Sequence, residues 1–98
     1  MVRSIGQDGC VPDRFLCPVC GYPDLVEPPW RDDSASDEIC PSCGTHFGYD
    51  DAGDAAQRQA AHRRLREAWV SGGMAWWSQS RTSPSGWDPT VQVVTVNE

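Results

Sequence analysis

The 98-residue chain has no lysine, so its eight basic residues are all arginines, and they are outnumbered by fourteen acids. The formal net charge is −6. A surface of that sign repels a phosphate backbone, which disfavours nucleic acid as a partner. A basic protein surface would match the charge better, although solubility alone would also account for it.

The chain also lacks any apolar run close to the roughly 18 residues that a membrane span needs. Residues 1–10 contain one arginine and no continuous apolar stretch of the kind that a secretory signal carries. These absences predict a soluble cytoplasmic protein with no membrane partner. Thiols stay reduced in the cytoplasm, and five cysteines fit metal ligation plus one spare thiol, Cys10, better than a set of disulfides.

Eight prolines and nine glycines leave little room for long regular elements. A chain this short buries a modest fraction of its surface, and such chains commonly depend on a metal or on disulfides. We therefore expect a single stapled domain over residues 15–98, preceded by a weakly ordered lead-in over residues 1–14.

One short motif occurs twice, as Cys-Pro-Val-Cys-Gly at residues 17–21 and as Cys-Pro-Ser-Cys-Gly at residues 40–44. The resulting C-x2-C-x19-C-x2-C spacing is typical of four-sulfur metal sites, because each two-residue gap lets a tight turn direct both sulfurs at one ion. Four sulfurs form a closed tetrahedral site, so the ion is predicted to be structural. We expect one Zn²⁺ per chain, with iron as the alternative that tetrahedral sulfur also suits. The predicted ligands are Cys17, Cys20, Cys40 and Cys43.

The stretches Cys17–Tyr22 and Cys40–Gly44 resemble the metal-binding knuckles of rubredoxins and of zinc ribbons in general. Rubredoxins are small acidic iron proteins that carry one electron, so this resemblance implies an electron carrier as one alternative function. The gap between the two knuckles looks too short for a rubredoxin. A zinc ribbon that binds nucleic acid is a further alternative.

The chain more closely resembles the bacterial cysteine-rich CPCC domain family over roughly residues 15–70. The similarity is carried by the first cysteine motif, by Glu38–Cys43 and by the acids Asp50 and Asp51. Val19 stands where that family has a cysteine. Some small proteins of this kind accompany bacterial toxin systems, so the resemblance implies an immunity role.

A helix is predicted over residues 54–70, with Asp54 as N-cap, Gln57 completing a capping box and a Gly-Gly pair ending it. Ala61, Leu65, Ala68 and Trp69 form its apolar stripe, whereas Arg58, His62 and Arg66 form a more polar stripe on which we expect His62 to be solvated. A tryptophan-rich extension follows, and the β-branched stretch Thr90–Val96 predicts a final strand. The expected fold class is small α+β: a zinc ribbon with rubredoxin-like knuckles, one helix and a C-terminal strand.

Two features are candidates for a partner surface. The acids Asp50, Asp51 and Asp54 cluster at the start of the predicted helix, where they either interact with the helix dipole or dock a basic partner. Trp76 and Trp77 are adjacent, so we expect one of them to be exposed and the other to lie in the core. Tryptophan is enriched in binding hot spots. The predicted contact surface combines the three acids with one of the two tryptophans.

No serine, histidine and acid are arranged in a way that indicates catalysis, so the protein is not expected to be an enzyme. The sequence favours a zinc-stabilised protein-interaction module, and its most specific version is an immunity-type inhibitor of a basic bacterial toxin. A rubredoxin-like iron electron carrier and a nucleic-acid-binding zinc ribbon are the alternatives.

Overall fold

The computed structural model describes residues 14–96. The predicted lead-in over residues 1–14, which includes Cys10, therefore lies outside the described residues except for Arg14. Within the described residues, a two-stranded hairpin precedes two helices, which confirms a small α+β protein. The elements in chain order are β1 (Trp30–Arg31), β2 (Ser34–Ala35), α1 (Ala55–Ser71) and α2 (Pro89–Val94). Neither helix is long and apolar enough to cross a membrane.

Strands β1 and β2 form an antiparallel hairpin, with Trp30 opposite Ala35 and Arg31 opposite Ser34. Asp32 has a φ of 54° at the tip, and the tight turns of two-residue hairpins need such a left-handed residue. The other pairings are the isolated antiparallel bridges Phe15–Leu25 and Ile39–His46. Strand pairing within residues 14–96 is thus limited to one short hairpin and two single bridges.

Helix α1 begins and ends as its sequence predicts. The Asp54 carboxylate accepts from the Gln57 amide at 2.8 Å, and the Gln57 side chain accepts from the Asp54 amide at 2.8 Å, which completes the capping box. Gly72 is the C-cap residue, and Gly73 follows it with a φ of 101°. The predicted bounds of 54–70 therefore differ from the observed Ala55–Ser71 by one residue at each end.

The predicted C-terminal strand is wrong, because residues Pro89–Val94 form helix α2. The Asp88 carboxylate caps this helix by accepting from the Thr90 amide at 3.0 Å and from its hydroxyl at 2.6 Å. Proline occupies the first turn, where its fixed φ suits a helix and its missing N–H costs nothing. These local capping contacts outweigh the weak β preference of the valines that follow.

The core lies around the cysteines and not between two layers of regular structure. Its buried members are Cys17, Val19, Cys20, Tyr22, Leu25, Cys40 and Phe47. Leu65, Trp69 and Trp76 are partly buried and pack against this cluster. Three of the seven buried members are cysteines, so the core and the cysteine cluster share the same residues.

Candidate metal centre

The two cysteine motifs fold into nearly identical turns, here called the first knuckle (residues 17–21) and the second knuckle (residues 40–44). In each, the glycine amide donates to the carbonyl of the first cysteine, at 2.9 Å for Gly21 and 2.8 Å for Gly44. The two glycines have φ values of 84° and 81°. This left-handed geometry costs glycine little, and the sequence repeat therefore specifies a repeated backbone conformation.

The four cysteine sulfurs converge on one point. All of them lie within 4.8 Å of one another. The Sγ atoms of Cys17 and Cys43 are 3.8 Å apart, and those of Cys20 and Cys40 are 3.7 Å apart. A tetrahedron with Zn–S bonds of about 2.3 Å has edges of about 3.8 Å, so the cluster has the size that a tetrahedral ion requires. The four predicted ligands are thus positioned to bind one metal ion.

The thiol environment also suits a cation. Cys17, Cys20 and Cys40 are fully buried. Burial raises the pKa of Cys17 well above its usual value, whereas hydrogen bonds from the neighbouring thiols, led by Cys17, hold the pKa of Cys43 well below its own. Three buried thiols and the half-buried Cys43 thus lie against one another, and the Thr45 hydroxyl, 3.2 Å from the Cys43 Sγ, is a further polar partner. A divalent cation would let all four ionise together, because it supplies the opposite charge at their centre.

Helix α1 and helix α2 both hold the first knuckle from outside. The Arg66 guanidinium donates through Nε to the Val19 carbonyl and through Nη2 to the Pro18 carbonyl, both at 2.9 Å. On another side, a Cβ placed on Gly21 would overlap the Gln92 carbonyl. The first knuckle is therefore enclosed by two helices that are distant from it in sequence.

Gln92 joins the two knuckles across the interior. Its side-chain amide donates to the Cys20 carbonyl at 3.2 Å and to the Ser42 hydroxyl at 3.0 Å. Its amide oxygen accepts from the Trp87 indole at 2.7 Å. Every polar atom of this buried side chain thus has a partner, as a polar group in a core requires.

The second knuckle is held by the chain that follows α1. The backbone amides of Trp77 and Ser78 donate to the carbonyls of Ser42 and Pro41 at 3.1 and 2.9 Å. The Trp77 ring lies directly over Gly44, and it remains 53% exposed. Trp76 turns inward and makes edge contacts with Tyr22 and Trp87, at centroid distances of 5.8 and 5.2 Å. The expectation that one of the adjacent tryptophans is exposed is confirmed.

The predicted acidic cluster separates into three different environments. Asp50 is exposed and accepts from the His46 amide at 2.9 Å, while Asp54 is exposed and caps α1. Asp51 was predicted to belong to the contact surface. This prediction is wrong, because Asp51 is fully buried. This carboxylate stabilises the interior instead, because β1, the turn at Gly48 and α1 meet at it.

Three donors converge on Asp51. They are the Gly48 amide at 2.7 Å, the Trp30 indole at 2.9 Å and the His62 Nε2 at 2.6 Å. Burial alone would raise the pKa of Asp51, but these hydrogen bonds outweigh burial and lower it below its usual value.

His62 was expected to be solvated because it lies on the polar stripe. This expectation is wrong, since only 14% of its side chain is accessible. Arg58 stacks over the Trp30 ring at 4.1 Å, and Arg66 binds the first knuckle. All three polar residues thus attach α1 to the rest of the chain. Their i, i+4 spacing in the sequence predicts that they share one face of α1, but it does not predict which residues they contact.

The fold and the cluster define a small α+β protein whose four cysteines are positioned to hold one metal ion. No sequence model of a known family matches the chain, and no solved structure matches it. The chain is 28% identical over 76 residues to the uncharacterized protein YozI of Bacillus subtilis (strain 168). That similarity covers 65% of this chain and 63% of the relative's own length, so the chain spans less than two thirds of that protein.

Proposed function

We propose that this chain is a non-enzymatic protein-interaction module whose fold is held by one structural Zn²⁺ in a zinc-ribbon arrangement. The observation that carries the proposal is the closure of the metal centre: three of its sulfurs are fully buried, and both knuckles are covered by other segments of the chain. A site enclosed in this way offers no position for a substrate or for a water ligand.

The first experiment concerns the ion. Protein purified without chelators is expected to contain one zinc per chain by elemental analysis and to be colourless. A red, reducible protein that contains iron would instead support the electron carrier, since the donor set also suits iron. Protein without any metal would contradict both functions.

The more specific version of the proposal is an immunity-type inhibitor that binds a basic bacterial toxin in the cytoplasm. Its support is the negative charge of −6 and the exposed acids near the second knuckle, among them Asp50. The exposed Trp77 ring, which lies over Gly44 of the second knuckle, would add apolar contact area. The resemblance to CPCC domains contributes the toxin context.

Affinity purification from the native host tests this version, with the partner identified by mass spectrometry. We expect a basic partner whose association slows as salt is added, because exposed charges are screened. Trp77→Ala should accelerate dissociation while leaving the metal content unchanged. A partner that binds with a rate independent of salt would contradict the basic-toxin hypothesis but would leave the interaction function in place.

A further inference from the structure

The positive charge of this acidic protein is concentrated on α1. Half of its arginines lie on this one helix, which carries a single acid, Glu67. Those arginines are Arg58, Arg63, Arg64 and Arg66. The rest of the chain is therefore more negative than the total of −6 indicates. A long polyanion would meet that negative surface, whereas a short acidic segment could contact the helix alone.

A groove of about 860 Å³ runs between α1 and the residues that follow α2. Arg63, Arg66 and His62 line it together with one acid, Glu67. Its apolar lining includes Leu16 and Val70, which are 45% and 41% exposed. The groove thus offers both positive charge and apolar surface to an occupant.

Arg66 makes the groove suitable for an anion. Its guanidinium is half-buried, and two of its nitrogens donate to the carbonyls of Pro18 and Val19. Those carbonyls fix the side chain but leave its positive charge without a counter-ion within residues 14–96. A carboxylate in the groove would meet a cation whose orientation is already set, so little side-chain entropy would be lost on binding.

The neighbouring Arg63 adds a second cation at the rim. It is exposed and forms no ion pair within the described part of the chain. Arginine recognises carboxylates through paired hydrogen bonds, and the apolar side chains beside it favour an aliphatic neighbour of the acid. This combination fits a short peptide in which acidic and aliphatic residues alternate.

We propose, on the basis of the interaction function proposed above, that this groove binds an acidic, aliphatic segment of a partner protein. The surface differs from the acidic one considered for a basic toxin and carries the opposite charge. Both walls of the groove are attached to the first knuckle, through Arg66 on one side and through α2 on the other. Occupancy of the groove therefore depends on an intact metal centre.

The test uses the full zinc-loaded chain and an acetylated hexapeptide of alternating glutamate and leucine. Titration followed by ¹⁵N–¹H NMR is expected to give saturable shifts at Arg63, Val70 and Val96, which line the groove. A matched peptide with glutamine in place of glutamate should bind about tenfold more weakly, since the loss of a charge-assisted hydrogen bond is of that order.

Arg63→Gln and Arg64→Gln form a matched pair of variants. Both remove one exposed positive charge from the same helix, but Arg63 lines the groove and Arg64 does not. We expect Arg63→Gln to weaken peptide binding about tenfold and Arg64→Gln to weaken it less than about twofold. Equal losses would indicate a diffuse charge effect and would overturn the groove as the binding site.

Other outcomes also decide the proposal. If zinc-loaded, folded protein shows no saturable shift, the groove is not a binding site for this peptide and the proposal is overturned. The interaction function proposed above is not affected by that result. Equal affinity for the glutamate and glutamine peptides would overturn the role of charge. The remaining outcome is a single-stranded oligonucleotide that binds more tightly than the peptide and with the same dependence on Arg63. That result would overturn a protein partner and indicate that the groove binds nucleic acid.

Discussion

The two knuckles share a sequence pattern and a backbone conformation, yet different parts of the chain support them. The first is enclosed by helical elements, with Arg66 of α1 on one side and α2 on the other. The second is paired with an irregular segment through Trp77 and Ser78 and is covered by an exposed ring. A local motif can therefore be duplicated without duplication of the contacts that stabilise it.

This difference has a consequence for how the protein responds to change. A side chain added at Gly21 in the first knuckle is expected to displace α2, because backbone atoms of α2 lie against this glycine. A side chain added at Gly44 in the second knuckle would contact the Trp77 ring, which is exposed and has space to move. Both knuckles supply ligands to one ion, however, so loss of the metal should remove the distinction between them.

The largest expected effect is therefore the same for both knuckles. Cys20→Ser and Cys40→Ser should each abolish stoichiometric metal binding and cooperative unfolding, measured by elemental analysis and thermal circular dichroism. Apparent zinc-binding free energies of about 10–16 kcal/mol in small domains are as large as the whole stability of such a fold. A strong chelator should have the same result in the parent protein.

Cys10→Ser is the control for these variants, since Cys10 is predicted to be a spare thiol. It should keep one metal per chain and an unchanged melting temperature. A Cys40→Ser protein that melts cooperatively at the parent temperature would contradict a structural role for the ion.

The next effect concerns Asp51, the carboxylate at which β1, the turn at Gly48 and α1 meet. Asp51→Asn should lower the free energy of unfolding by about 2–3 kcal/mol at pH 7, because an amide that replaces Oδ2 opposes the indole donor of Trp30 and leaves it unpaired. Urea denaturation of the metal-loaded proteins measures this. Asp50→Asn is the matched control: its carboxylate is exposed, so we expect a change of less than about 1 kcal/mol.

The pH dependence of this effect follows from the lowered pKa of Asp51. A carboxyl whose pKa is lower in the folded state stabilises the fold fully above its unfolded pKa of about 4, and the stabilisation is lost as pH falls through the folded pKa. The difference between parent and Asp51→Asn should thus narrow as pH falls below about 4. A difference that widens below about pH 4 would contradict the assigned direction of the shift.

The parts of the fold that could be predicted are those determined by neighbouring residues. The knuckles depend on cysteine spacing and on glycines within each turn, and the Asp54 capping box is complete within four residues. The four ligands could be named for the same reason. Helix α2 was not predicted, although Asp88 and Pro89 form a helix start signal, because the β-branched residues that follow them favour a strand.

The parts that could not be predicted depend on pairs that are distant in sequence. Asp51 and His62 look like surface residues until tertiary structure brings them together, and Gln92 reaches Cys20 across 72 positions. Charge and polarity alone do not show whether such a side chain faces solvent or a buried partner. Tertiary contacts determine this, and they also removed Asp51 from the predicted contact surface.

A smaller effect is expected at the side chain that joins the knuckles. Gln92→Ala should destabilise the protein by about 2 kcal/mol in urea denaturation, since the Trp87 indole then loses its acceptor in the interior. Val91→Ala is the control on the same helix: its side chain is 66% exposed, and its truncation should cost less than about 0.5 kcal/mol. Equal losses would show that α2 stabilises the fold without this link.

The smallest expected effect is a difference between the two knuckle glycines. Gly21→Ala and Gly44→Ala both place a side chain at positive φ, which costs about 1–2 kcal/mol. At Gly21 the new Cβ also meets the backbone of α2 and lies 2.5 Å from the Thr95 hydroxyl. At Gly44 it meets the Trp77 ring at 2.5 Å, and that exposed ring can rotate away. Gly21→Ala should therefore be more destabilising by about 1 kcal/mol, the usual minimum for overpacking.

Two further variants separate backbone strain from contact. Gly86 has a φ of 73° with no atom within 4 Å of an added Cβ, so Gly86→Ala measures the cost of positive φ alone. If the Trp77 ring is the only additional obstacle at Gly44, the Gly44→Ala substitution made in a Trp77→Ala background should cost the same as Gly86→Ala. No such rescue is expected at Gly21, because the obstacle there is backbone and cannot be truncated. Equal unfolding free energies for the Gly21 and Gly44 variants would mean that the two knuckles are supported with equal rigidity despite their different neighbours.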